Sequence, residues 1–261
     1  SSFIPAHAKE RFRPLELDLT KQDDCAKLPD VKLVYHLAAL NGTSLFYKIP
    51  WDVFYNSSVS TLNLIERFRE SKQLERFVYT STSEVYASFV DSNPDLCPTS
   101  ESVSVGFQDI LNSRWSYGGA KLAGEIALLS ANKQFGIPFS IIRYHNVYGP
   151  YGTWDGGKEK APAAICRKVA KATDEIEIWG NGEQHRSFLY IDEAVKATID
   201  FYREENYFEP INIGSERNVS INELVDIVCS IANKQLNKKY VPGPLGVHAR
   251  TSHNDLITKV L

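Results

Sequence analysis

Apolar positions along the chain change their period several times. Residues 31–39, VKLVYHLAA, form an almost continuous apolar run, the pattern of a strand buried on both faces that runs into a turn. Within 58–71, Leu62, Ile65 and Phe68 recur at threes, which predicts a helix. Residues 76–82, RFVYTST, predict a second strand, and 138–144, PFSIIRY, a third. Between these two, residues 117–136 carry helical spacing and end at Gly136, a C-terminal cap. Strands alternating with long helices predict βαβ units and a parallel sheet, an α/β protein.

After Gly149 the texture changes. Residues 149–162 are rich in Gly and Pro and predict a loop. A helix at about 161–172, a short strand IEIWG (176–180), a helix DEAVKATIDFYREE (192–205) and a short buried strand PINIG (210–214) follow. Ser220 with Glu223 three residues later is a capping-box pattern and opens a helix over 220–234. Residues 240–261 read largely as loop, with the start of a helix at the end. The expected organisation is a dinucleotide-binding unit over 1–148, to which 186–206 returns. A smaller substrate-binding unit is expected over 149–185 and 207–261.

Composition narrows the class. The 261 residues are 43% apolar and 23% charged, which fits a soluble globular protein rather than a disordered one. A net charge of −3 gives no sequence-independent grip on nucleic acid, so no nucleic-acid partner is expected. No apolar run reaches membrane-spanning length, so no membrane partner is expected either. Cys25, Cys97, Cys166 and Cys229 lie far apart with no CxxC pairing, which predicts reduced thiols in a cytoplasmic protein. The histidines have no metal-ligand spacing, and no metal site is expected.

Three constellations carry candidate chemistry. Tyr117 and Lys121 lie four apart on a predicted helix and so share a face. An ammonium beside a phenol lowers its pKa, and such a tyrosine can take a proton from an alcohol while hydride leaves its carbon. Tyr and Lys four apart also occur in many helices without function, but Thr82, at the end of a predicted parallel strand, can complete a Thr–Tyr–Lys set. Asp18 and Leu19, with Leu37, Ala38 and Ala39 after the next strand, suit contacts to a dinucleotide's adenine and ribose; simple packing of the alanines suits the same residues. Arg186 and Arg250 are candidates for a diphosphate, with surface ion pairs as the alternative. Gly149, Gly152 and Gly156 lack a strand-turn-helix context and form no dinucleotide fingerprint.

Together the TST, Y-x-x-x-K, HLAA, YHNVYGP, GEQHRSFLYIDE and PINIG elements resemble, in order and spacing, the extended short-chain dehydrogenase/reductases that modify nucleotide sugars. Residues 143–168 and YVPGPLGVHAR (240–250) are most similar to the GDP-mannose 3,5-epimerase branch. The resemblance implies a Rossmann-like, doubly wound parallel sheet, NAD as cofactor, a nucleotide-sugar substrate with a GDP-linked manno-type sugar favoured, and a homodimer. It implies that Tyr117, assisted by Lys121 and Thr82, deprotonates the sugar 4-hydroxyl, and that protons are exchanged beside the resulting 4-ketone. Cofactor contacts are implied for Asp18, Leu19, Leu37, Ala38, Ala39, Thr80, Tyr117, Lys121, Tyr144 and Asn146. Substrate contacts are implied for Ser83, Asn146, Lys160, Ala161, Arg186 and Arg250.

Two departures from the family pattern matter. Lys160 stands where the epimerase branch has its acid, but Glu84 stands where that branch has a cysteine. TSTSEVY (80–86) is the form seen in UDP-glucuronate decarboxylases; Glu84 is a candidate site residue whose step is open, and it can serve as base beside a ketone if burial raises its pKa. Decarboxylation, 4,6-dehydration and oxidation at C4 alone are therefore the alternatives within the fold, and a non-catalytic binding module lies outside it. The Gly-rich turn and the first strand and helix of the N-terminal βαβ unit are missing, the sequence has no methionine, and a longer chain at both ends is expected.

Overall fold

Four strands build the main sheet of this computed structural model, which describes residues 4–156, 159–204, 207–242 and 249–261. In chain order the strands are β1 (Leu33–His36), β2 (Arg76–Thr82), β3 (Phe139–Tyr144), β4 (Val147–Tyr148), β5 (Glu175–Trp179), β6 (His185–Ser187), β7 (Leu189–Tyr190), β8 (Ile211–Ile213), β9 (Asn218–Ser220), β10 (Asn237–Val241) and β11 (Ala249–Arg250). The α-helices are α1 (Gln22–Cys25), α2 (Thr43–Lys48), α3 (Pro50–Phe68), α4 (Ala87–Ser92), α5 (Trp115–Phe135), α6 (Ala161–Lys171), α7 (Ile191–Tyr202), α8 (Ile221–Ile231) and α9 (Asp255–Val260). The main sheet has the order β1-β2-β3-β8, and every pair in it is parallel.

Both faces of this sheet are covered, as a parallel sheet requires. On one face Leu64, Ile65 and Phe68 of α3 and Leu128 of α5 pack on Phe77, Tyr79, Phe139 and Ile141. On the other, Ala194 and Phe201 of α7 and Leu256, Ile257 and Val260 of α9 pack on Val78, Ile142, Ile211 and Ile213. Each fully buried side chain of this size stabilises the fold by about 1.5–3 kcal/mol. Gly124 sets the approach of α5 to the sheet: a Cβ there would overlap the Tyr79 phenol. Gly136 ends α5 with φ 76°, the left-handed cap that the sequence predicts.

The smaller unit has its own core. Ile165 and Val169 of α6 meet Ile176 and Ile178 of β5 and Leu224, Val225 and Cys229 of α8. Strand β10 pairs with β5, and β6 pairs parallel with β11 and antiparallel with β9. Ser220 caps α8, its Oγ accepting from the Glu223 N–H at 3.0 Å.

Three features differ from the pattern-based reading. Helix α3 begins at Pro50, eight residues before the predicted 58, because proline pre-sets the first helical φ while the polar stretch 56–60 hides the period. Residues 211–213 join the main sheet beside β3, so this part of the segment assigned to the substrate-binding unit belongs to the larger one. Strand β10 lies where no strand was predicted, because its charged NKKYV sequence is largely solvent-facing. Among the described residues no helix is long and apolar enough to cross a membrane.

Candidate active site

The C-terminal ends of β1, β2 and β3 open on one cleft, the edge at which open α/β sheets bind ligands. Thr82 ends β2, and its Oγ1 accepts from the Glu84 N–H at 3.3 Å, which caps a 3-10 turn over Ser83–Tyr86. That turn returns Glu84 to the strand ends. The first turns of α5 bring up Tyr117 and Lys121. The cleft encloses about 260 Å³, and its walls include Thr80, Thr82, Ser83, Glu84, Tyr117, Lys121 and Lys160. Leu37, Ala39, Tyr144 and Asn146 complete the side toward β1 and β3.

Tyr117 is buried, with the Phe46 ring stacked on it at 5.3 Å and 7° between planes. Burial raises the phenol pKa, the charge on Glu84 adds to this, and a hydrogen bond with Thr82 opposes it. Lys121 is only 2% exposed; its Nζ donates to the Thr80 carbonyl at 2.7 Å and lies 4.9 Å from the Tyr79 ring centre. Burial lowers Lys121 to about 8, against the opposing charge of Glu125. The phenol therefore sits above its ordinary pKa, the reverse of what Tyr–Lys spacing predicts. Desolvation dominates there, and the ammonium is engaged by a backbone carbonyl.

For Glu84, burial does not prevail. Burial raises its pKa, but the nearby charges of Arg250, Arg114 and Lys160 outweigh burial, and the net direction is downward. Arg250 Nη1 donates to Oε1 at 2.5 Å, and Arg114 Nη2 lies 3.4 Å from Oε2. Lys160, the residue just before α6, is lowered by burial in the site, with Glu84 opposing. Its side chain still reaches solvent through the open cleft. Arg186 faces Arg250 in the register of β6 and β11. Burial and the repulsion of Arg250 and Arg114 push Arg186 down to about 10, with Asp91 opposing the arginines.

The remaining sequence candidates divide. Asn146 lines the cleft in the left-handed region, φ 45°, and its buried Nδ2 has no hydrogen-bond partner among the described residues. Ala38 is exposed between the cleft-lining Leu37 and Ala39. Asp18 is not a cleft residue: its carboxylate accepts from the Thr20 N–H (3.0 Å) and hydroxyl (2.7 Å). Leu19 packs on the main core, and Ala161 on the core of the smaller unit. Sequence reasoning missed Arg114 and Phe46. An arginine three residues before Tyr117 is the signal that points to the first; nothing in the LFYK stretch marks the second. Among the described residues no group of His, Cys, Asp and Glu is arranged to hold a metal.

Residues 3–214 match the NAD dependent epimerase/dehydratase family. The chain belongs to that family. Among the relatives in the epimerase/dehydratase family, GDP-mannose 3,5-epimerase of Arabidopsis thaliana is 39% identical over 247 residues, which is 94% of this chain and 64% of that protein. A UDP-N-acetyl-alpha-D-glucosaminuronate decarboxylase of Bacillus cytotoxicus is 30% identical over 229 residues, 87% of this chain and 66% of that protein. The chain thus spans about two thirds of the length of these relatives. UDP-glucuronic acid 4-epimerase of Bacillus cereus, solved with UDP-glucuronic acid and NAD, superposes with a TM-score of 0.77 at 27% identity, covering 91% of this chain and 72% of that one. UDP-glucose 4-epimerase of Thermotoga maritima shares the fold, with a TM-score of 0.83 at 24% identity over 94% of this chain and 76% of that one. The family and the Rossmann-like sheet read from the motif order are borne out.

Proposed function

We propose that this chain performs NAD-dependent epimerisation of a nucleotide sugar through a 4-keto intermediate, with a GDP-linked manno-type sugar as substrate. The observation that carries the reading is the meeting of Thr82, Tyr117 and Lys121 with Lys160 and Glu84 in one cleft. Its GDP and manno components rest on the 39% identity to the Arabidopsis epimerase. The cleft fits the dinucleotide: the unpartnered Asn146 Nδ2 awaits an acceptor, and the small Ala38 and Ala39 admit close approach at the β1 end. Leu37, Ala38, Ala39, Thr80, Lys121, Tyr144 and Asn146 would hold it. NAD, when bound, supplies an acceptor that takes hydride from C4 and can return it.

The chain's own residues do the rest. Tyr117 would take the proton of the sugar 4-hydroxyl as the phenolate, which requires the positive charge of the bound nicotinamide to offset the burial that raises its pKa, with Thr82 orienting the ring. Lys160, whose pKa is lowered by burial, takes the proton from one face of the carbon next to the ketone, and water in the open cleft returns one to the opposite face, which inverts that carbon. Glu84 stays ionised between Arg250 and Arg114 and balances the charge of Lys160. Arg186 and Arg250, opposite each other in the register of β6 and β11, would bind the anionic diphosphate, whose charge would relieve the repulsion that lowers Arg186. We further propose a cytoplasmic homodimer.

Decarboxylation is the second reading, favoured by Glu84 within TSTSEVY and by the 30% identical decarboxylase. The deciding experiment incubates the full-length protein with NAD and a panel of GDP- and UDP-sugars in heavy water and weighs the products. Deuterium gain with no other change is expected. Loss of carbon dioxide or water, or a product two hydrogens lighter, replaces epimerisation by the corresponding chemistry.

A further inference from the structure

A buried polar frame lies directly beneath the cleft. Glu125 sits on α5 one turn beyond Lys121 and is 2% exposed. Arg143 grips its carboxylate with two prongs, Nε to Oε1 at 3.0 Å and Nη2 to Oε2 at 2.6 Å. The Ser81 hydroxyl donates to the same Oε1. Arg143 Nη1 donates to the Tyr86 oxygen at 2.6 Å, the Tyr86 hydroxyl donates to Asn212 Oδ1 at 3.0 Å, and Asn212 Nδ2 donates to the Thr99 carbonyl at 3.1 Å.

Four of its members neighbour a site residue in the chain. Ser81 precedes Thr82, Arg143 precedes Tyr144, Tyr86 follows Glu84 by two, and Glu125 follows Lys121 by one helical turn. The frame thus ties β2, β3, α5 and the Ser83–Tyr86 turn to one another. A buried ion pair gains little over an apolar filling of the same volume, so stability alone does not account for placing one here.

The surroundings of Lys121 point to a role. Its ammonium faces the Tyr79 ring and the Thr80 carbonyl from β2 and the buried His36 from β1. Tyr117 and Glu125 accompany it on its own helix, and Glu125 is the carboxylate acting on it. Burial of an amine this deep favours the neutral form, and a neighbouring carboxylate opposes that.

We propose that Glu125 is a positioning residue: clamped by Arg143 and Ser81, its carboxylate holds Lys121 as an ammonium against the Thr80 carbonyl, beside Tyr117. This rests on the reading of Tyr117 and Lys121 as the proton-transfer pair. Were Lys121 neutral, its hydrogen bond to Thr80 would lose its charge assistance, and no cation would stand by the phenol as its proton leaves.

The test reads Lys121 directly and needs no turnover. The full-length protein is labelled with ¹³Cε-lysine and titrated by NMR, and the Lys121 resonance is assigned with Lys121→Arg. The wild-type midpoint is expected at about 8. In Glu125→Gln, which keeps size and hydrogen bonding but removes charge, the midpoint falls by about 1 unit. A folded Glu125→Gln with an unmoved Lys121 midpoint overturns the proposal and leaves Glu125 a structural residue. If that variant does not fold, Glu125→Asp, which keeps the charge and the Arg143 partner but withdraws the carboxylate by one methylene, replaces it. The midpoint must fall there by a smaller step, and an unmoved one overturns the proposal. Turnover retained by Tyr117→Phe instead sinks the proton-transfer reading, whatever Lys121 does.

Discussion

Glu84 and Lys160 face the same cleft, yet their surroundings tune them apart. Two arginines hold Glu84 in its charged form, while burial favours the neutral amine of Lys160. Burial thus eases proton loss from Lys160, whereas the arginines resist proton uptake by Glu84. Lys160→Met is therefore expected to abolish deuterium gain at carbon while leaving hydride transfer to NAD detectable as absorbance at the reduced-nicotinamide band. Tyr117→Phe is expected to lose both, with a drop in turnover of about 10²–10⁴-fold. Deuterium gain at the wild-type rate in Lys160→Met would contradict the assignment.

At the scale of elements, α5 has three duties on three faces. Ala120, Gly124 and Leu128 bury against the sheet and α3, and Tyr117 with Lys121 reaches the cleft. The outward face carries Ile126 (57% exposed) and Leu129, and the neighbouring helix α3 carries exposed Leu62, Phe54 and Tyr55. Exposed apolar side chains on two neighbouring helices suit a second copy of the same pair, which supports the dimer that the family resemblance implies. Ile126→Asp with Leu62→Asp is expected to convert the dimer to a folded monomer in analytical ultracentrifugation. A wild-type protein that sediments as a monomer at micromolar concentration refutes the interface.

For the whole molecule, two buried imidazoles set the response to acid. Burial drives His36 down to about 3 and His145 to about 4. The unfolded chain binds protons at both below about pH 6.5, while the folded chain does not, so stability falls as pH drops below that value. Each histidine contributes a slope of at most about 1.4 kcal/mol per pH unit, His36 down to about pH 3 and His145 to about pH 4. The urea midpoint is expected to be lower at pH 5 than at pH 7. His36→Gln, which keeps a partner for the Thr61 hydroxyl now 2.8 Å from Nε2, should flatten that dependence. Equal slopes in the variant and the wild type would exclude His36 as a source.

Local pattern by itself determined the parallel sheet, the long helix carrying Tyr117 and Lys121, and the caps at Gly136 and Ser220. Period, glycine and capping signals all act within a few residues. The motif order likewise brought Thr82, Glu84, Tyr117, Lys121 and Lys160 into consideration together. Tertiary structure alone decided in which direction the ionisation of Glu84, Tyr117, Lys121 and Lys160 is biased. Glu84 runs against its burial because Arg250, 166 residues away in sequence, reaches it across the fold. Tyr117 is raised because Phe46 and the sheet exclude water while Lys121 turns to the Thr80 carbonyl. Membership of residues 211–213 in the main sheet was also a matter of long-range pairing, since the short segment Ile-Asn-Ile carries no record of its neighbour. Ionisation and strand pairing depend on what stands across a gap in space, and no local period encodes that.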